Sequence, residues 1–389
     1  MSTSREARLV QTLLAEVGVA LNGSNPWDIR INDERMFARV LSEKNLGLGE
    51  SYMDGWWDCD RIDDFICRIL KGNLKEKLRG NFRLLIPYVM ARLSNRQSRK
   101  RAYEVAQTHY DLDNQLFMSF LDPYNQYSCA YFETGKEDLT QAQRKKMQLV
   151  CRKLELTADD HLLDIGFGWG GLARYAAENY GCAVTGVNIS REQIAFAKEF
   201  CKGLPVRIFE KDYREIEGQY SKIVSVGMFE HVGYKNYRVF MESAYKSLNA
   251  DGIFLLHTIG SNDSGVNTDP WINKYIFPNG MLPSLAQITK AAEGLFVIED
   301  LHNLGPHYDK TLMAWHRNFQ NSRDLFKQKY GERFVRMWEY YLLSCAGAFR
   351  ARHNQLWQIV MTKPGRRQPL GIRSSVDSQP PHGEARDRE

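Results

Sequence analysis

Residues 162–172 read Leu-Leu-Asp-Ile-Gly-Phe-Gly-Trp-Gly-Gly-Leu, an apolar run that closes on Asp164 and turns through Gly166 and Gly168 toward a helix. A glycine has no Cβ, so a loop of this kind lets a ligand approach the backbone closely. A dinucleotide site places its acidic residue about 20 positions after the glycines, on the ribose. Here the acid comes before them, and the next strand ends in Val187-Asn188 with no carboxylate. That order suits a ligand carrying positive charge, and S-adenosylmethionine carries two: the ammonium of its methionine end and the sulfonium. Asp164 would counter that charge. The plain alternative is a structural strand-to-helix turn.

Glu230 and His257 are the next candidates. Each follows a predicted strand, Lys222–Val226 and Gly252–Leu256, as Asp164 follows its own. Open parallel sheets bind ligands at the carboxyl ends of their strands, so three segments far apart in sequence are expected to meet in one crevice. His231 adjoins Glu230, but spacing gives it no role. Cys129 has no neighbouring His or Lys in the local sequence to depress its pKa, which argues against a nucleophilic thiolate.

The elements that must hold these residues are five short apolar runs alternating with helical stretches: His161–Ile165, Cys182–Val187, Val206–Phe209, Lys222–Val226 and Gly252–Leu256. Strands recurring with helices between them predict an α/β fold with a doubly wound parallel sheet. Residues 1–74 read as a small, mainly helical N-terminal domain, and residues 75–101 as a basic amphipathic linker. The linker reads equally as a segment that sits on an anionic membrane surface or as a linker helix with a solvated face. Pro87 interrupts its apolar run. Residues 102–363 form the expected catalytic domain, and the Pro-, Ser- and Arg-rich residues 364–389 an expected disordered tail.

Composition sets the outer bounds. A chain of 389 residues with 43% hydrophobic content calls for one large domain and a smaller one. A net charge of +5 is compatible with an anionic surface but falls short of what a nucleic-acid binder carries. The seven cysteines form no CxxC pair and have no His-rich companion, so reduced thiols and no metal site are expected. No signal-peptide pattern opens the chain, and no run approaches the roughly 18 apolar residues of a membrane span. A cytoplasmic protein in peripheral contact with the inner face of the membrane is the expectation.

Several further segments carry a resemblance: His109–Asn114, Tyr127–Phe132, Gly227–Gly233 (Gly-Met-Phe-Glu-His-Val-Gly), Leu255–Gly260, Trp271–Gly280 and Tyr308–Trp315. Together with the glycine loop they make the chain, from about Leu46 to Met361, similar to the cyclopropane fatty acid synthases and the related mycolic acid methyltransferases. The Gly-Glu-Ser-Tyr-Met-Asp-Gly-Trp-Trp run and the N-terminal domain resemble the phospholipid-modifying bacterial branch. The resemblance implies a class I S-adenosylmethionine-dependent methyltransferase fold and a possible homodimer. It implies a reaction in which a cis double bond of a membrane phospholipid acyl chain attacks the activated methyl, a carbocation forms, and bound bicarbonate removes a proton so that the ring closes. Carried over, the bicarbonate holders are Cys129 (chiefly through backbone), Glu230, His257 and Tyr308. Tyr127, Ser128, Asp164, Gly166, Gly168, Asn188, Gln193, Asp212 and Tyr213 would contact the cofactor.

Two positions depart from the family pattern: Phe167 stands where cysteine is expected, and Asn188 where threonine is common. Phe167 is compatible with cofactor binding if its ring points into the core. A cationic intermediate calls for a dry, aromatic surround, and Tyr131, Tyr275, Phe277 and Trp315 are candidates, with core packing as the plain reading. The competing functions are a methyl-branching enzyme of the same fold and a non-catalytic lipid-binding protein, because fold does not fix substrate.

Overall fold

The computed structural model describes residues 5–72, 114–266 and 268–369. The basic stretch at 75–101, most of the His109–Asn114 segment and the tail beyond residue 369 lie outside the described residues.

The N-terminal part is built from helices α1 (Arg5–Ala15), α2 (Arg35–Glu43), α3 (Asn45–Met53) and α4 (Ile62–Lys71), with a short antiparallel pair, β1 (Arg30–Ile31) and β2 (Trp57–Asp58). In α4 the apolar residues Ile62, Phe65, Ile66 and Ile69 recur at helical spacing and give one buried stripe. They enter a hydrophobic cluster that also contains Trp57 and, from the other end of the chain, Trp338, Tyr340 and Phe349. The N-terminal helices therefore share a core with the C-terminal ones.

Helices α5 (Asn114–Met118) and α6 (Leu139–Lys153) precede the sheet. The start of α6 is fixed by Asp138, whose side chain accepts from the Gln141 backbone N–H while the Gln141 side chain accepts from the Asp138 N–H. Strands and helices then alternate: β3 (His161–Ile165), α7 (Gly171–Tyr180), β4 (Ala183–Asn188), α8 (Arg191–Phe200), β5 (Val206–Glu210), β6 (Tyr220–Val226), α9 (Tyr237–Ser247) and β7 (Leu248–Ser261). After β7 come α10 (Pro270–Tyr275), α11 (Leu285–Ala292), β8 (Val297–Asn303), α12 (Gly305–Gln320), α13 (Arg323–Tyr330), α14 (Glu332–Arg350) and β9 (Asn354–Thr362).

The seven strands lie in the order β5-β4-β3-β6-β7-β9-β8. Successive side chains of a strand point to opposite faces, and the core divides accordingly. Leu163, Phe254, Leu256, Ile359 and Met361 pack on one face, and Leu162, Ile253, Leu255 and Val360 on the other.

The five strands expected from the sequence are parallel neighbours, and β9, antiparallel to both β7 and β8, extends the sheet into a mixed one. The placement of two site residues is corrected. His257 does not follow its strand: β7 continues to Ser261, since β9 offers a partner along its length from Ile253↔Thr362 to Ser261↔Asn354. Asp164 likewise lies within β3, in register with Gly186 and Val224.

Candidate active site

The strand order reverses at β3, which pairs with β4 on one side and β6 on the other. A crevice opens at the carboxyl ends of strands at such a point. One cavity there is lined by Tyr127, Ser128, Asp164, Gly166, Gly168, Asn188, Gln193, Asp212 and Tyr213, so the cofactor candidates gather around a single space. His231 lines it too, its ring against Phe277 at 5.8 Å, and burial lowers its pKa to about 4, which keeps it neutral.

The loop geometry explains the glycines. Gly166 (φ +81°) donates its N–H to Val187 O at 2.9 Å, and a Cβ there would stand 2.6 Å from Met228 Cγ. Gly168 (φ +58°) has nothing within 4 Å of where its Cβ would be, so its backbone faces open space. Phe167, between them, turns its ring inward: it packs with Ile194 and Ala197 and lies over Gly186, where a Cβ would meet the ring at 2.7 Å.

Asp164 is fully buried, and its Oδ2 has no hydrogen-bond partner among the described residues. Burial pushes its pKa up to about 7, against the pull of the Lys146 ammonium. A buried carboxylate with an unfilled oxygen beside a cavity fits an ammonium group, as S-adenosylmethionine offers. The other polar groups of the cavity are largely tied to one another. Asn188 Nδ2 donates to Gln193 Oε1 at 2.8 Å, and Asn188 Oδ1 accepts from the Ile189 N–H at 2.7 Å. Asp212 accepts from the Arg214 backbone N–H at 3.0 Å and its guanidinium at 3.2 Å. Arg214 also lies 4.6 Å over the Tyr213 ring.

Cys129, Glu230, His257 and Tyr308 are a second group, all buried and none lining that cavity. Glu230 sits in a 3-10 turn (Phe229–His231) after β6 and reaches across to β7, where its Oε1 accepts from the Ile259 N–H at 2.6 Å. Its Oε2 is buried with no partner among the described residues, and burial raises its pKa to about 7 against hydrogen bonds from the Ile259 N–H and the Thr258 hydroxyl. His257, two residues before Ile259, has its Nδ1 3.2 Å from the Gln358 amide nitrogen, and its Nε2 has no partner among the described residues. Burial, with the Lys146 and Lys153 ammonium groups, holds its pKa well below the ordinary value, so the ring is neutral. Tyr308 comes from α12, close enough to Cys129, Tyr127 and Glu230 for their charges to bear on it, and stays a phenol. Cys129 is wholly buried and its thiol is pushed far up, which removes thiolate character. It is held from the α12 side, where the Thr311 hydroxyl accepts from the Ala130 N–H at 3.0 Å.

Between the two groups stands Tyr127. Its ring lies 5.2 Å from Trp315, 5.2 Å from Phe117 and 6.5 Å from Phe277, and its hydroxyl is 2.8 Å from that of Tyr341. Of the aromatic candidates, Phe277 and Trp315 are thus at the site. Tyr275 is not: its hydroxyl donates to Glu50 at 2.7 Å, where the N-terminal part meets α10. Tyr131 faces His302 and His307 instead.

Sequence reasoning missed Lys146 and Gln358. Lys146 is fully buried and donates to Ser128 Oγ at 2.9 Å and to Gln126 Oε1, both on the cavity wall. The signal was present: Leu139, Ala142, Lys146 and Val150 fall on one buried stripe of α6, where a lysine needs an explanation. Gln358 carried none, because its role arises only from pairing across the sheet.

Strand order, glycine loop and crevice define a class I S-adenosylmethionine-dependent methyltransferase. The family model described as mycolic acid cyclopropane synthetase matches residues 97–359, which contain every site residue named above except Glu50. The chain is 52% identical over 356 residues to the cyclopropane-fatty-acyl-phospholipid synthase of Escherichia coli K12, covering 92% of this chain and 93% of the relative. It is 37% identical over 273 residues to a probable fatty acid methyltransferase of Pseudomonas putida, covering 67% and 69%. Among solved structures, the cyclopropane synthase MmaA2 from Mycobacterium tuberculosis is similar at 32% identity and TM-score 0.63, covering 67% of this chain and 98% of that one. Mycolic acid cyclopropane synthase CmaA1 complexed with SAH and CTAB gives 32%, TM-score 0.64 and the same coverage. The chain belongs to the mycolic acid cyclopropane synthetase family.

Proposed function

We propose that the protein transfers the methylene carbon from S-adenosylmethionine to cis double bonds of unsaturated acyl chains in membrane phospholipids, forming cyclopropane rings. The observation that carries this reading is the likeness to the Escherichia coli phospholipid synthase over 92% of the chain, where the mycolic enzymes reach 67%.

The cofactor supplies an electrophilic methyl group on a cationic sulfur. Asp164 binds its ammonium, Gly166 and Gly168 admit it to the backbone, and Asn188, Gln193, Asp212 and Tyr213 orient the remainder. Tyr127, Trp315, Phe117 and Phe277 exclude water and turn electron-rich rings toward positive charge, each contact worth about 1–2 kcal/mol when desolvated. An alkene attacking the methyl leaves a carbocation, which water would capture in a wetter site.

What supports bicarbonate in the second group is a neutral imidazole nitrogen and a carboxyl oxygen buried there without partners among the described residues. In this reading Cys129 (through its backbone), Glu230, His257 and Tyr308 hold the ion, which would supply the base for the departing proton. Glu230 accepts from the acid's hydroxyl, while His257 and Tyr308 donate.

Residues 1–74, 75–101, 102–363 and 364–389 are proposed as N-terminal domain, linker, catalytic domain and tail. No helix among the described residues is long and apolar enough to cross a membrane. We place the enzyme in the cytoplasm, peripherally on an anionic membrane surface and as a homodimer. The test is an assay on vesicles of unsaturated phospholipid with labelled methyl donor, with bicarbonate added or withheld. A lipid gaining one CH2 while losing its olefinic proton signals marks a ring, and retained olefinic protons mark methyl branching. Turnover indifferent to bicarbonate removes the proposed base.

A further inference from the structure

His257, Gln358 and His302 stand at one level of three adjacent strands: His257 pairs with Gln358 across β7 and β9, and Gln358 with His302 across β9 and β8. Directly opposite residues share a face of the sheet. Gln358 is fully buried, and its amide nitrogen lies 3.2 Å from His257 Nδ1. At the far end of the row, Lys153 Nζ is 3.2 Å from His302 Nδ1 and 3.3 Å from Asp300 Oδ2. Lys146 and Lys153, both on α6, bear on His257 from that helix, and Glu230 reaches the same strand at Ile259.

A neutral imidazole has one N–H and one lone-pair nitrogen, and its partner decides which is which. The amide NH2 can only donate. With the amide turned this way Nδ1 accepts and the ring proton sits on Nε2; Nε2 and the amide's own Oε1 are both buried with no partner among the described residues.

We propose that Gln358 is a positioning residue for the methyl-transfer reaction: its amide holds the His257 ring and fixes the Nε2–H tautomer, so that a donor and not a lone pair meets whatever occupies the second group. The proposal rests on the placement of His257 at the reaction centre given above, and it sharpens it. The occupant beside His257 must present an acceptor, which suits an oxyanion. The same amide rotated by 180° would accept from an Nδ1–H and turn Nε2 into an acceptor, the opposite specification.

The test is nitrogen-15 NMR of imidazole-labelled full-length protein without ligands, the His257 signal being identified by its loss in His257→Gln. The expected result is an unprotonated Nδ1 and a protonated Nε2. Gln358→Met, close in volume, should give a mixture of tautomers and lower turnover on phospholipid vesicles roughly tenfold or more, with KM for S-adenosylmethionine within about twofold. Gln358→Glu, whose carboxylate accepts from Nδ1–H, should move the proton off Nε2 and lower turnover further. Wild-type protein with the proton on Nδ1 overturns the proposal, as does Gln358→Met with both tautomer and turnover unchanged. Should Gln358→Met not fold, the wild-type spectrum still decides. A wild-type Nε2–H in a protein that forms no cyclopropane on any lipid would sink the functional reading and leave the tautomer assignment standing.

Discussion

The cofactor cavity and the buried group behind it differ in how their polar side chains are partnered. In the cavity Asn188 is bound by Gln193 and Asp212 by Arg214, while Asp164 Oδ2 and the Tyr213 hydroxyl have no partner among the described residues. In the second group Glu230 Oε2 and His257 Nε2 have none among them, though each side chain is anchored at its other polar atom, by the Ile259 N–H and by Gln358. A buried polar group without a partner costs about 1–3 kcal/mol, so a fold retains several together where a ligand completes them. The cavity offers a carboxylate and a hydroxyl to a ligand, and the second group a carboxyl oxygen and an imidazole nitrogen.

The widest separation between the two regions should come from Glu230→Gln. Turnover is expected to fall on the order of a hundredfold or more, while S-adenosylmethionine affinity by calorimetry stays within about threefold. Equal losses in both would erase the distinction.

Asp164→Asn should do the reverse, raising the cofactor Kd about tenfold to a hundredfold, in line with about 1.5–3 kcal/mol for a charge-assisted hydrogen bond. Because the Asp164 pKa is raised to about 7, the carboxylate protonates as pH falls through that value, and the wild-type Kd should rise with it. Lys146→Met removes the opposing ammonium and should move this midpoint upward. Folding stability of the ligand-free protein responds with the other sign. A carboxyl raised from an unfolded value near 4 contributes stability below that value and loses it as pH rises through about 7. A cofactor titration flat from pH 5 to 8 would show that Asp164 does not meet the ammonium.

The smallest effect is expected from Phe167→Cys. The ring serves packing against Gly186, Ile194 and Ala197, so the variant should lose about 1–3 kcal/mol in denaturant unfolding while cofactor affinity changes less than about twofold. A large affinity change would place the ring in the cavity after all.

What was legible in the chain follows from range. The first five sheet strands declare themselves because each is a short apolar run of local origin, and the glycine loop with Asp164 is a pattern within eleven residues. Strand β8, Val-Ile-Glu-Asp-Leu-His-Asn, mixes charge with apolar residues, and β9 acquires its meaning only by inserting between strands that precede it. His257 was placed beyond its strand for that reason. Lys146 was visible as an anomaly on an apolar stripe, whereas Gln358 required the register of three strands.

The position of β9 also orders assembly in time. It separates β7 from β8 in space but is made after both, so the sheet cannot close in the sequence in which the ribosome delivers it. Until residues 354–362 arrive, β7 has a bare edge that invites mispairing, and His257 stands without the amide that aims it.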